Sequence, residues 1–193
     1  MKLFNKTLFI IPALFLFSCS SDSSSSSGNC DSDINFMQTG KILNYSLEQF
    51  GFVAGAMKLE FGACDGTGVY SLSRKYFDTS GAETGSQVDK IKIEGDYMKI
   101  DVSNSETFYE RLYKKNAQLG DTWEDTKADG TIYTREVIDV DSLITVPAGS
   151  FHCKVYKQTS SNSIGENYIF WNDEYGEIME ESLFLTLKLS SHN

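Results

Sequence analysis

Ser150 and His152 stand two residues apart, a spacing that puts a hydroxyl and an imidazole on one face of a strand. Nucleophilic catalysis needs those two groups to bond, with a third group orienting the base. Side chains sharing a strand face project in parallel, and no orienting carboxylate is marked by spacing. The pair therefore reads as a solvated histidine beside a turn serine. Paired acids come next, Glu180-Glu181 and Asp139 with Asp141. A glycosidase holds two carboxyls about 5–10 Å apart across a cleft. In a chain with 27 acidic residues such neighbours read first as solvated surface. Asn172-Asp173-Glu174 with Glu177 offers oxygens of the kind Ca²⁺ accepts, but these residues suit a hairpin turn and are read so. His192, beside the C-terminus, is expected in a frayed tail. No G-x-S-x-G, H-E-x-x-H, P-loop or complete EF-hand occurs, so no catalytic residue, metal or cofactor is assigned and a non-enzymatic role is expected.

Binding chemistry is more suggestive. Tyr70, Tyr133, Tyr156 and Phe184 lie opposite the stronger apolar stripes of their strands. A sheet with one apolar and one tyrosine-bearing face can line a concave cavity with hydroxyls at its mouth. These four are the candidate lining of a ligand groove. Its occupant would be a hydrophobic small molecule.

The first 18 residues have a basic start (Lys2, Lys6) and an apolar run from Leu8 to Phe17, too short for the roughly 20 residues of a membrane-spanning helix. That is a secretory signal. It ends in Leu16-Phe17-Ser18-Cys19, which resembles the lipobox of bacterial lipoproteins. By that resemblance the peptide is cut before Cys19, whose thiol and new amine are acylated, and Ser20 in the next position directs the product to the outer membrane. The partner so implied is the membrane, through the acyl anchor; whether the domain faces the periplasm or the cell surface stays open. Residues 20–28 contain seven Ser, and the polar tract continues to Asp33. Such a stretch cannot bury apolar area, and 14 residues of it would span about 20 Å as a tether. With Cys19 acylated, Cys30, Cys64 and Cys153 leave one disulfide and one spare thiol in an oxidising compartment, with three pairings open.

The remainder is one domain, residues 40–193, after a signal at 1–18 and a tether at 19–39. The net charge of −10 argues against nucleic acid, which needs a basic face. Met57, Leu59 and Phe61 alternate with Lys58, Glu60 and Gly62, and the same period recurs near 91–93, 98–102, 151–155 and 183–189. Further strands are expected at 42–47, 69–77, 131–140, 143–146 and 168–171. Asp65-Gly66, Gly95-Asp96, Asp129-Gly130 and Gly176 separate them at hairpin distances. The expectation is an all-β fold with at most one short helix: an antiparallel half-barrel or barrel-like sheet of about ten strands. Residues 103–119 fit a helix, through a capping box at Ser103–Glu106, and equally a strand.

Three elements of the C-terminal half come in order: Leu119-Gly120-Asp121-Thr122-Trp123, Val146-Pro147-Ala148-Gly149-Ser150-Phe151-His152-Cys153, and Tyr168-Ile169-Phe170-Trp171 followed by Tyr175-Gly176. Over about residues 118–189 the chain resembles TapB-like exported proteins, which implies an open sheet like that of the LolA/LolB lipoprotein carriers and no catalytic residues. Read physically, Pro147 ends a strand, Gly149 makes the turn and Phe151 starts the next strand facing the core. The expected role is a lipid-anchored envelope protein holding a hydrophobic ligand. The alternative is a structural or interaction subunit with an envelope protein as partner. A glycan hydrolase comes third, with an acidic pair in a cleft as its sign.

Overall fold

The computed structural model describes Cys30 and residues 34–102, 105, 107, 108 and 110–193. The signal segment, Cys19 and the serine tract lie outside the described residues. Among those described there is no helix, and twelve strands form one sheet. They are β1 (Ile42–Gln49), β2 (Phe52–Cys64), β3 (Val69–Phe77), β4 (Glu83–Glu94), β5 (Tyr97–Asp101) and β6 (Glu110–Lys114). The second half supplies β7 (Thr122–Thr126), β8 (Ile132–Val146), β9 (Gly149–Ser160), β10 (Glu166–Asn172), β11 (Gly176–Glu181) and β12 (Leu185–His192). The expectation of an all-β, barrel-like sheet holds, with twelve strands in place of about ten.

The order is β6-β5-β4-β3-β2-β1-β12-β11-β10-β9-β8-β7, with the neighbours antiparallel. Pairing of β1 with β12 joins the chain's two halves, with Tyr45 opposite Leu189 and Leu47 opposite Leu187. Only β6 and β7, consecutive in sequence, have no ladder between them, so the sheet is a nearly closed barrel and not an open one. Of the 103–119 segment, Glu110–Lys114 forms strand β6, paired with β5, while Ser103, Asn104 and Glu106 of the capping box lie outside the described residues.

The two open edges meet through side chains. Asp125 on β7 accepts from the backbone N–H of Arg111 at 2.9 Å and from its Nε at 2.8 Å. Trp123 Nε1 and Arg135 Nη1 both donate to the Arg111 carbonyl, at 3.0 and 2.7 Å. Arg135 also pairs with Glu110 at 2.7 Å. Short, charged edges of this kind resist pairing with another chain.

Alternation places Leu43, Tyr45, Met57, Leu59, Phe61, Leu187 and Leu189 inside. A barrel of this strand number encloses more volume than its own side chains fill, and the N-terminal segment helps to fill it. Ile34, Phe36 and Met37, within the stretch assigned above to the tether, are buried; the fully enclosed Phe36 packs on Phe61, Tyr113 and Trp171. Gly176 lies so close that a β-carbon there would sit 3.2 Å from the Phe36 ring. The folded unit therefore begins before residue 40. Cys30 is bonded to Cys64 at the end of β2, and the Tyr70 hydroxyl donates to the Cys30 carbonyl. Of the three pairings left open, this is the one formed.

The Val146–Phe151 corner is built as its residues require. β8 ends at Val146, Gly149 takes φ +140°, Phe151 is buried, and the Ala148 N–H donates to the Leu189 carbonyl at 3.1 Å. That bond is available because β11 pairs with β12 only from Met179 to Glu181.

The Cys30–Cys64 bridge closes a loop of 34 residues, whose lost chain entropy corresponds to about 3–4 kcal/mol. Cys64→Ser is expected to lower the unfolding free energy by about that amount, read as a lower urea midpoint. An unchanged midpoint would show that Phe36 and its neighbours hold the N-terminal segment without the bridge.

Candidate functional site

The barrel interior is not filled. A cavity of about 210 Å³ lies between Phe36, which forms its floor, and the ends of β1, β3 and β12. Leu43, Leu47, Met57, Leu59, Leu72, Ile91, Met98, Leu185 and Leu187 give it an apolar wall. Tyr76, Leu112 and Trp171 also face it. Three charged side chains break that wall: Arg74, Glu177 and Glu180.

Glu177 and Glu180 are three apart on β11, which in a regular strand puts them on opposite faces. A bulge corrects the phase: Phe170 pairs with Met179 while Trp171 pairs with Glu177, leaving one extra residue between them. Both carboxyls consequently face inward. Glu180, read from sequence as solvated surface with Glu181, is half-buried against the cavity; Glu181 is exposed.

The interior arginines already have partners. Arg74 Nε lies 2.6 Å from Asp89, a fully buried carboxylate that also accepts from Gln87. Arg135 belongs to Glu110 and Asp125 at the seam. Among the described residues no ion pair joins a cation to Glu177 or Glu180; Asn167 donates weakly to Glu180 at 3.3 Å. Enclosure by the wall pushes the Glu177 carboxyl up to about 8, and the neighbouring Glu180 charge pushes the same way, against Arg74 and Arg135. Enclosure also raises Glu180, opposed by the same two arginines and reinforced by Glu110. The Tyr45 hydroxyl donates to the Glu177 carbonyl at 2.8 Å. Trp171, only 5% exposed, has an indole Nε1 without a hydrogen-bond partner.

The four residues chosen from sequence do not converge on this cavity. Tyr70 is a buried wall residue of β3, and Tyr156 is wholly buried against Trp123. Val155 and Tyr156, neighbours that alternation would separate, are both buried, beside the register shifts of β8 around Asp139. Tyr133 lies under the Lys127 ammonium, 4.3 Å from its ring, beside a shallow polar recess. Phe184 is exposed at the β11–β12 hairpin, 5.9 Å from the Phe50 ring of the β1–β2 hairpin. With Phe52, Val53 and Leu183 they make an apolar tip. Phe50 holds φ +51°, a left-handed conformation that costs a bulky residue about 1–3 kcal/mol.

Other sequence candidates are quiet. Ser150 bonds Thr145 at 2.8 Å and His152 bonds Asp141 at 2.7 Å, both exposed. Asn172 and Asp173 build the β10–β11 turn, where Asp173 receives Lys154 and the Tyr113 hydroxyl at 2.8 Å. His192 is not in a frayed tail: it ends β12, 4.4 Å from the Tyr175 ring. The spare thiol, Cys153, is buried, and desolvation pushes it up to about 12, so it stays protonated and inert.

The barrel has relatives among solved structures. The chain shares its fold with two of them. One, from Bacteroides fragilis, is described as an exported protein with a YmcC-like fold; it matches with a TM-score of 0.57 and 12% identity over 81% of this chain and 96% of its own. The other, from Parabacteroides distasonis, is described as a lipoprotein; it matches with a TM-score of 0.56 and 16% identity over 84% of this chain and 100% of its own. No protein-family model and no curated protein matches the sequence, so the TapB-like resemblance gains no support from a family match.

Because Glu177 holds its proton more tightly folded than free, folding is favoured most where both states are protonated. Stability should fall as pH rises from about 4.5 to about 8. Glu177→Gln is expected to flatten that fall in urea titrations, raising stability at pH 8 and leaving it unchanged near pH 4. A variant with the wild-type slope would show that the carboxyl reaches water.

Proposed function

We propose that this chain is a lipid-anchored protein of the bacterial outer membrane that holds a small hydrophobic ligand in its barrel and performs no catalysis. The observation that carries the reading is the apolar cavity of about 210 Å³ inside the barrel, walled by residues such as Leu43, Leu47, Met57 and Leu187. Support for the location comes from the lipobox-like Leu16-Phe17-Ser18-Cys19 and from neighbours in fold described as exported and as a lipoprotein.

Volume narrows the ligand. A 150 Å³ cavity takes benzene, six heavy atoms, so this one takes roughly eight. A full acyl chain of about 16 carbons would need nearly twice the space. The same arithmetic bears on the hydrolase reading, for which an acidic pair in a cleft is the expected sign. Glu177 and Glu180 are such a pair, but a disaccharide of about 23 heavy atoms would need over 500 Å³, and its hydroxyls would meet leucines and methionines. The apolar walls favour binding of an apolar group over glycoside cleavage.

A second reading has its own observation. Phe50, Phe52, Val53, Leu183 and Phe184 are all more than half exposed at one end of the barrel, which is where a subunit would meet an envelope protein.

The two readings give different results. Protein extracted gently from native membranes should carry a co-purifying molecule of about eight heavy atoms, seen by native mass spectrometry; consistently empty protein would count against the ligand. A photocrosslinker at Phe184 in intact cells should give scattered adducts for a binding protein. One stoichiometric adduct would favour the subunit.

A further inference from the structure

Inside the barrel, positive charge is spent on structure and negative charge is left over. Arg74 faces Asp89, and Arg135 faces Glu110 and Asp125 across the seam. Glu177 and Glu180 then stand in the apolar wall with no cation bonded to either among the described residues. Carboxyls so placed are costly unless something meets them. A second unmet group belongs to a residue of the same wall: Trp171, whose indole N–H has no partner, lines the cavity opposite Glu177 in the β10–β11 register.

We infer that the cavity selects a small apolar molecule bearing a protonated amine, held by Glu177 and Glu180, with an acceptor oxygen beside the amine for Trp171. This rests on the cavity-binding reading above and names the chemical class of its ligand. An ammonium donates up to three hydrogen bonds and supplies the charge the acidic pair lacks. The branched aliphatic wall takes the apolar remainder. An anionic ligand would set its charge against the acidic pair, and a ligand without an ammonium would leave both carboxyls without a cation. An ammonium also favours the ionised form of Glu177, so binding near neutral pH must expel its proton.

Leucinol has this chemistry in eight heavy atoms. It would be titrated calorimetrically into the full chain in lipid nanodiscs, beside 4-methylpentan-1-ol and 4-methylpentanoate. Leucinol should bind at least about tenfold more tightly than either, with net proton release at pH 7 read from buffers of different ionisation enthalpy. Glu177→Gln with Glu180→Gln should remove that tenfold preference while the variant still binds the alcohol. If the double variant does not fold, Glu180→Gln alone and the wild-type proton count still decide. Equal affinities for the three probes, no proton release, or an undiminished preference in the folded variants would overturn the amine while leaving the cavity intact. Failure of all three to bind would overturn the cavity reading itself.

Discussion

Everything inside this barrel depends on the contact between Asp125 and Arg111, where two strands that follow one another in sequence face each other without a ladder. Twelve strands could lie open as a curved sheet, and the core would then be a wetted trough. The Asp125 carboxylate substitutes for a strand by accepting the backbone N–H that β6 would otherwise leave bare. Trp123 and Arg135 do the complementary job for the Arg111 carbonyl. Arg135 and its acids are buried, and such groups stabilise only while all partners are present. Losing one of them would strand a charge where water cannot reach.

Closure creates an interior that the wall cannot fill, and the two ends handle this differently. Near the disulfide, Phe36 and Met37 occupy the space, and Gly176 has no β-carbon because Phe36 needs the room. Toward the hairpin tips nothing of the described chain enters, and the cavity remains. The floor is thus made by residues that precede the first strand. Composition of the tract before them hides this, because serines dominate up to Asp33 and the plug is only a few residues long.

Period-two alternation made Met57, Leu59, Phe61, Ile91 and Leu187 readable as an inner face, and the Pro147–Gly149 corner was readable from backbone chemistry alone. The site was not readable. Arg74, Glu177 and Glu180 are the residue types expected on a solvated face, and the side to which each points is fixed by pairing with distant strands. The β11 bulge removes even the indirect signal, since alternation assigns Glu177 and Glu180 to opposite faces. Tyr70 and Tyr156 were misleading for a related reason: tyrosine tolerates burial, and neither position shows which face closure will turn inward. A carboxylate three residues from another, beside a Gly-bounded turn, was the only trace available.

The disulfide and the apolar hairpins also set an orientation. Phe52 and Cys64 mark the two ends of β2, about 40 Å of extended chain apart. Cys30 is fixed to the Cys64 end, and eleven steps of chain separate it from Cys19. Fully stretched, those eleven steps reach at most about 36–40 Å. If Cys19 carries the acyl anchor proposed above, Phe50 and Phe184 could touch the bilayer only if the connecting chain ran nearly straight along the barrel wall. The less costly arrangement points the hairpins, and the cavity between the strand ends beside them, away from the anchoring membrane. The strained φ of Phe50 fits that arrangement, because an exposed aromatic held in a left-handed turn gains nothing from the barrel's own core. Under the proposed anchoring, the apolar hairpin tips and the neighbouring end of the cavity would share the face farthest from the lipid.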